Sequence, residues 1–202
     1  PDNKYLCAVD SGVDQIKIYG FSQVHGSITL RDIVRCELDS GPKKIVFSDD
    51  GRFMYLICEL ANTLSVYSYD GIGTLPKFEC IQKLPTIPKG VNNLTASITL
   101  KLSHDNQYIY ISNAGDNSIS IFKRDAETGL VTFLNAIPIA GDYPKDIAIF
   151  PDDEHICSVN HETGTLTFFT INHEKGLLIM NQAPEKVDEP NCCQFVCIDD
   201  EN

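Results

Sequence analysis

Gly41–Tyr69, GPKKIVFSDDGRFMYLICELANTLSVYSY, reads as strand, tight turn, strand, short loop, strand. Lys43–Ser48 alternates and ends apolar. Asp49-Asp50-Gly51 then supplies a turn, because Asp bonds nearby backbone and Gly accepts positive φ. Phe53–Ile57 is a second apolar run, and Leu64–Tyr69 is a third with period-2 alternation.

The same phrase recurs along the chain. PDNKYLCAVD at Pro1, DDGRFMYLIC at Asp49, HDNQYIYISN at His104 and PDDEHICSVN at Pro151 lie at spacings of 48, 55 and 47 residues. Each is followed by an alternating strand: DQIKIYGF, NTLSVYSY, NSISIFKR and GTLTFFTI. A poorer fourth strand comes after a turn: ITLRDIVRCEL, FECIQKLP, VTFLNAIPI and LLIMNQA. KKIVFS, ITLKLS and DIAIF precede three of the turns as first strands. A period of ~40–50 residues with several strands per repeat is the mark of propeller blades.

The expected fold is therefore all-β, a β-propeller of four-stranded antiparallel blades. The expected division is a partial blade over 1–40, blades over 41–90, 91–140 and 141–187, and a closing strand over 192–200, CCQFVCIDD. The innermost strands are expected at Lys43–Ser48, Ile98–Ser103, Asp146–Phe150 and Gln194–Ile198. Thr86–Asn93 is the one longer insertion, and no helix is expected. Because the chain opens at Pro1 inside a repeat, it is expected to begin mid-protein, with N-terminal blades or a second copy covering its open edges.

With 202 residues, 43% of them hydrophobic, the chain can bury one sizeable core. A net charge of -12 disfavours nucleic acid and anionic membrane as partners. No apolar run approaches the ~18 residues of a membrane span. No two of the eight cysteines show C-x-x-C spacing, so neither a zinc nor a redox motif is read. They are expected to be reduced and mostly buried, in a cytoplasmic protein without metal or cofactor. His25, His104, His155 and His173 sit at turns or beside charges and are expected in solvent.

Three phrases carry a resemblance. GPKKIVFSDDGRFMYLICEL resembles G-P-R-H-x-x-F-x-x-D-G-x-x-x-Y-x-x-N-E-L of the lactonase-type seven-bladed propellers. NAGDNSISIF resembles their N-R-G-x-D-S-I-x-x-F, and PKDIAIFPDDEHICSVNHETGTLTFF their P-R-D…P-D-G…A-N-Q phrase. The family includes bacterial 6-phosphogluconolactonases and the fungal carboxymuconate-lactonizing enzyme. The likeness covers the whole chain in order and implies about four blade-equivalents, the C-terminal part, of a seven-bladed ring.

The resemblance implies a site built from a His ahead of Pro1 and an Arg, a Glu and a second Arg within the chain. The first Arg falls on Lys43, with Lys44 at the adjacent His; the Glu is Glu59, beside Cys58; the second Arg is Ala114, which follows Asn113. The Arg of P-R-D is Lys145, and the Gln of A-N-Q is His161.

Opening a sugar lactone needs activated water, oxyanion stabilisation and a clamp on the anionic substrate. Glu59 and Lys43 are the catalytic candidates. Lys44, Lys101, Asn113, Lys145 and His161 are the candidates for binding an anionic sugar lactone. The lysines fall on or beside first strands, which line the channel of a propeller. Lys gives a point charge where Arg gives a fork, so orientation is looser. The plain alternative for Glu59 is an ion-paired rim residue. The expected activity is thus a metal-independent lactonase of the 6-phosphogluconolactone type. The alternatives are a non-catalytic binding or scaffold propeller and a lactonizing isomerase of the carboxymuconate type.

Overall fold

The computed structural model describes residues 2–22, 24–73, 75–88 and 94–196. The first sheet holds β1 (Tyr5–Asp10), β2 (Gln15–Ser22) and β3 (Ser27–Arg35); the second holds β4 (Pro42–Phe47), β5 (Phe53–Cys58), β6 (Thr63–Asp70) and β7 (Lys77–Pro85). The third holds β8 (Ala96–Leu102), β9 (Tyr108–Ala114), β10 (Ser118–Arg124) and β11 (Val131–Pro138). The fourth holds β12 (Pro144–Ile149), β13 (His155–Asn160), β14 (Thr165–Asn172) and β15 (Leu177–Met180). A two-residue strand, β16 (Glu185–Lys186), also pairs with β14. Neighbouring strands are antiparallel and follow chain order, and no helix occurs among the described residues.

The second strand of each sheet explains the packing. β5 reads FMYLIC and is buried throughout, because the sheet is covered on both faces. Phe53, Tyr55 and Ile57 point one way, into a cluster with Leu100, Ile109, Ile111 and Phe122 of the third sheet. Met54, Leu56 and Cys58 point the other way, onto Ile16 and Ile18 of the first. In β9 the same division sends Ile109 and Ile111 back to the second sheet, while Tyr108 and Tyr110 pack on Ile147, Ile156 and Phe169 of the fourth. The cores are therefore interlayers between successive sheets. Gly129, at φ +71, shows how close they come: a Cβ there would collide with the Phe53 ring.

Polar clasps fix the sheets at both rims. On one rim, Asp14, Asn62 and Asn117 sit at positive φ in the β1–β2, β5–β6 and β9–β10 hairpins and reach forward to the next sheet. Asp14 accepts from the N–H groups of Asp39 and Gly41, Asn62 donates to the Thr95 carbonyl at 2.8 Å, and Asn117 accepts from Tyr143 N–H at 3.0 Å. On the other rim, Asn106 exchanges two hydrogen bonds with Asp49. Asp153 accepts from the backbone N–H groups of His104 and Asp105 and from His104 Nδ1.

Three expectations need correction. The strand expected over Gln194–Ile198, within Cys192–Asp200, does not form over its described part: residues 191–196 are irregular, and 197–202 lie outside the described residues. A strand needs a ladder partner, and among the described residues β12, the adjacent strand, pairs with β13 alone. The segment packs on the fourth sheet instead, with the Phe195 ring 3.9 Å from Phe150. His173 is not in solvent; its ring lies 4.5 Å from Tyr108 and donates from Nε2 to the Asp153 carbonyl. Among the described cysteines, Cys58 and Cys157 are buried but Cys80 and Cys192 are exposed. Of the Thr86–Asn93 insertion, residues 89–93 also lie outside the described residues.

Among the described residues β1 pairs only with β2, and a groove of about 360 Å³ runs beside it, lined by Tyr5, Leu6, Cys7, Ile45, Val46 and Phe47. It lies where an innermost strand of the first sheet would run. The clasps have a measurable weight. Asp153→Gly keeps the backbone freedom and removes three hydrogen bonds, so urea denaturation should show a loss of about 1–2 kcal/mol. An unchanged midpoint would mean that the hydrophobic interlayer alone sets the fit of these sheets.

Candidate active site

Each complete sheet enters its innermost strand through a β-bulge at the same place. Pro42 pairs with Cys58 and Lys44 with Ile57, so Lys43 is the extra residue. Ser97 and Thr99 flank Ile98 in the same way, and Pro144 and Asp146 flank Lys145. A bulge interrupts alternation, so two consecutive side chains can turn toward the same space. That space is an open cleft of about 430 Å³, lined by Lys43, Lys44, Ile98, Thr99, Lys145 and Asp146, with Tyr143 and Asn191 beside them.

Glu59 follows β5 in a turn held by its N–H, which donates to the Gly41 carbonyl at 2.7 Å. Its carboxylate pairs with Lys43 Nζ at 2.7 Å, both side chains about one-third exposed or less. His161 occupies the matching place two sheets on, its N–H donating to the Tyr143 carbonyl at 3.0 Å. The imidazole Nδ1 donates to the Pro190 carbonyl at 3.2 Å. His161 therefore braces the Tyr143 and Pro190–Asn191 side of the cleft without lining it. Ala114, at the intervening place, is buried and brings no polar group.

The lysines divide by partner. Lys43 is paired with Glu59, and Lys101 with Asp146 at 3.7 Å. Lys145 donates to Asn191 Oδ1 at 2.6 Å, and Lys44 to Thr99 Oγ1 at 2.8 Å, both neutral acceptors. Among the described residues, the cleft thus holds two ammonium groups not matched by a carboxylate in salt-bridge contact. Burial, and then the nearby Lys101 charge, hold Lys44 below the usual lysine range, with Asp146 opposing them. Lys101 lies on the wall of a separate cavity of about 240 Å³, with Leu102, Ile149 and Phe195, and not on the cleft.

Asn113 is corrected out of the binding set. It is wholly buried, its amide nitrogen donating to Ser120 Oγ at 2.9 Å and Ser118 Oγ at 3.2 Å, while Ser97 donates to its oxygen. Asn160 does the same work in the fourth sheet with Thr165 and Thr167. The matching residue of the second sheet is Cys58, whose thiol is held below its usual range chiefly by a hydrogen bond from Cys36, against the effect of burial.

Thr99, Asp146, Tyr143 and Asn191 are cleft residues that motif reading passes over. Thr99 and Asp146 could have been found as the partners of Lys44 in the aligned first strands. Tyr143 stands at φ +57 where the second sheet has Gly41 at φ +62, a costly backbone for an aromatic residue. Among the described residues no group of three or more His, Cys, Asp or Glu could hold a metal ion, and no helix is long and apolar enough to cross a membrane.

The profile of the family described as "Lactonase, 7-bladed beta-propeller" matches residues 1–195. The chain belongs to this lactonase family. An uncharacterized protein of Staphylococcus aureus is 34% identical over 200 residues, covering 96% of this chain and 56% of that protein. The periplasmic gluconolactonase of Pseudomonas aeruginosa superimposes with a TM-score of 0.90 at 27% identity, over 98% of this chain and 55% of its own. A Bacteroides uniformis protein provisionally described as a 6-phosphogluconolactonase gives 0.87 at 29% identity, over 97% and 55%. The chain spans about half the length of the curated relatives it matches.

Asn113→Ala separates a structural from a binding role. It takes one hydrogen-bond partner from each of Ser97, Ser118 and Ser120 in a buried site, so it should lower stability in urea by about 1–3 kcal/mol. Full stability together with weakened ligand binding would return Asn113 to the binding set.

Proposed function

We propose that this chain contributes the catalytic cleft of a lactonase that hydrolyses an anionic sugar lactone of the 6-phosphogluconolactone type. The observation that carries the reading is that Lys43, paired with Glu59, lines one cleft with the ammonium groups of Lys44 and Lys145. Membership of the lactonase family and the likeness to a gluconolactonase support it.

The chemistry follows from the groups. Lys145, steadied by Asn191, anchors the substrate's phosphate or carboxylate. Lys43 lies against the lactone carbonyl and faces the negative charge that develops on its oxygen. Glu59, held beside Lys43, takes a proton from the attacking water. The net charge of -12 makes this cleft a local exception, which draws an anion to it over the rest of the surface. Where the family pattern has a second Arg, Ala114 offers no donor, so acceleration is modest for the family. The remaining blades of the ring, or a second copy, close the groove beside β1, and the protein works in the cytoplasm.

One observation favours a second reading, a propeller that binds its ligand without chemistry: Glu59 is already engaged by Lys43 at 2.7 Å. Glu59→Gln in the protein at its full natural length decides between them. With the uncatalysed rate subtracted, the lactonase reading expects kcat for 6-phosphogluconolactone to fall about 10²-fold. Equal rates in the two proteins would leave the binding reading.

A further inference from the structure

The lactonase reading leaves one group in the cleft without a task, and leaves one chemical requirement without a group. Hydrolysis of a lactone expels a ring oxygen as an alkoxide, a poor leaving group unless it is protonated as the bond breaks. Lys43 is the ion-pair partner of Glu59, and Lys145 is held by Asn191. Lys44 lines the same cleft with a different set of contacts.

Those contacts form a relay across three sheets. Lys44 Nζ, from the second sheet, donates to Thr99 Oγ1 of the third at 2.8 Å. The Thr99 hydroxyl donates to Asp146 Oδ1 of the fourth at 3.3 Å. The second oxygen of Asp146 accepts from the Cys193 N–H at 3.2 Å, and Lys101 Nζ lies 3.7 Å from the first. Thr99 is almost wholly buried. The hydroxyl spends its one proton on Asp146 and so presents a lone pair to Lys44. An ammonium has three N–H donors, so two remain for the cleft.

We propose that Lys44 is the general acid of the reaction, resting on the lactonase reading, and that Thr99 and Asp146 are positioning residues that orient its ammonium toward the leaving ring oxygen. Glu59 takes a proton from water as the water oxygen bonds to the carbonyl carbon. The ring C–O bond breaks, its electron pair stays on the ring oxygen, and that oxygen takes a proton from Lys44. The proton on Glu59 then passes through water to the neutral Lys44 amine, restoring both groups. The new carboxylic acid ionises and releases one proton, as the overall hydrolysis requires.

The electrostatic setting suits this task. Lys43 on its own strand, Lys101 on β8 and Lys145 on β12 are like charges around it, while Glu59 and Asp146 oppose them; Tyr143 and the Cys193 thiol complete the titratable surroundings. Burial and Lys101 make its ammonium a stronger acid than that of an exposed lysine. A weakened ammonium delivers its proton more readily, so Lys44 is better matched to donation than a solvated side chain would be.

The test is the pH dependence of kcat and KM for 6-phosphogluconolactone, in the cold with the uncatalysed rate subtracted. It uses the protein at full natural length and its Lys44→Arg and Thr99→Val variants. Arg keeps the charge and the bond to Thr99 but does not release its proton in this range, so kcat should fall about 10²-fold with KM little changed. Val removes the acceptor that favours the charged form, so the alkaline limb of kcat should move to lower pH. A role in packing alone would move no limb. Wild-type kcat in Lys44→Arg, or an unmoved limb in Thr99→Val, overturns the role of Lys44 while leaving the lactonase reading in place. A wild-type protein no faster than the uncatalysed reaction overturns both.

Discussion

The extra residue at the start of each innermost strand is the constraint on which the cleft depends. Strict alternation would send Lys43 and Lys44 to opposite faces of the second sheet, one of them into an apolar interlayer. The bulge after Pro42 removes that conflict, and the same device after Ser97 and Pro144 repeats it. Three pairs of consecutive side chains then converge, one from each sheet. The chemistry thus rests on a local irregularity repeated at a fixed period, and not on any single motif.

The bulges are useful only if the sheets hold their mutual angle. The interlayers supply the attraction, since β5 and β9 are apolar on both faces and each face meets a different neighbour. Hydrophobic contact is non-directional, and the polar clasps add direction. Asp14 and Asn117 grip the backbone just ahead of the bulges after Gly41 and Tyr143, so the same contacts that join the sheets also aim the lysines. Left-handed backbone at these clasp residues is the local cost of that reach, and Asp and Asn bear it better than other side chains.

The fold was legible because its signal is repeated. A turn, an alternating strand and a second turn recur four times, and each repeat supports the reading of the others. Lys43, Glu59 and Lys145 were legible through family phrases and do meet around the cleft or at its edge. Asn113 was misread because an Asn at a strand end looks alike whether it faces a ligand or two buried serines; only the partners distinguish them. Lys101 shares the side of β8 that Thr99 presents, with regular register between them, but it stands two positions further along and so falls on the wall of the next cavity, while Thr99 takes the cleft position. The bulges themselves leave no residue signature beyond a Pro in two of three cases. Cys192–Asp200 has a strand's composition, yet over its described part, to Val196, composition supplies no ladder partner.

The central claim is that residues brought together by the three bulges form one anion-binding catalytic cleft. The most direct measurement is a crystal structure of the protein with 6-phosphogluconate, the hydrolysis product, bound. The account expects the ligand's phosphate within hydrogen-bonding distance of Lys145, the hydroxyl freed from the ring beside Lys44, and its new carboxylate beside the Lys43–Glu59 pair. A ligand seated elsewhere, with no contact to any bulge residue, would contradict it.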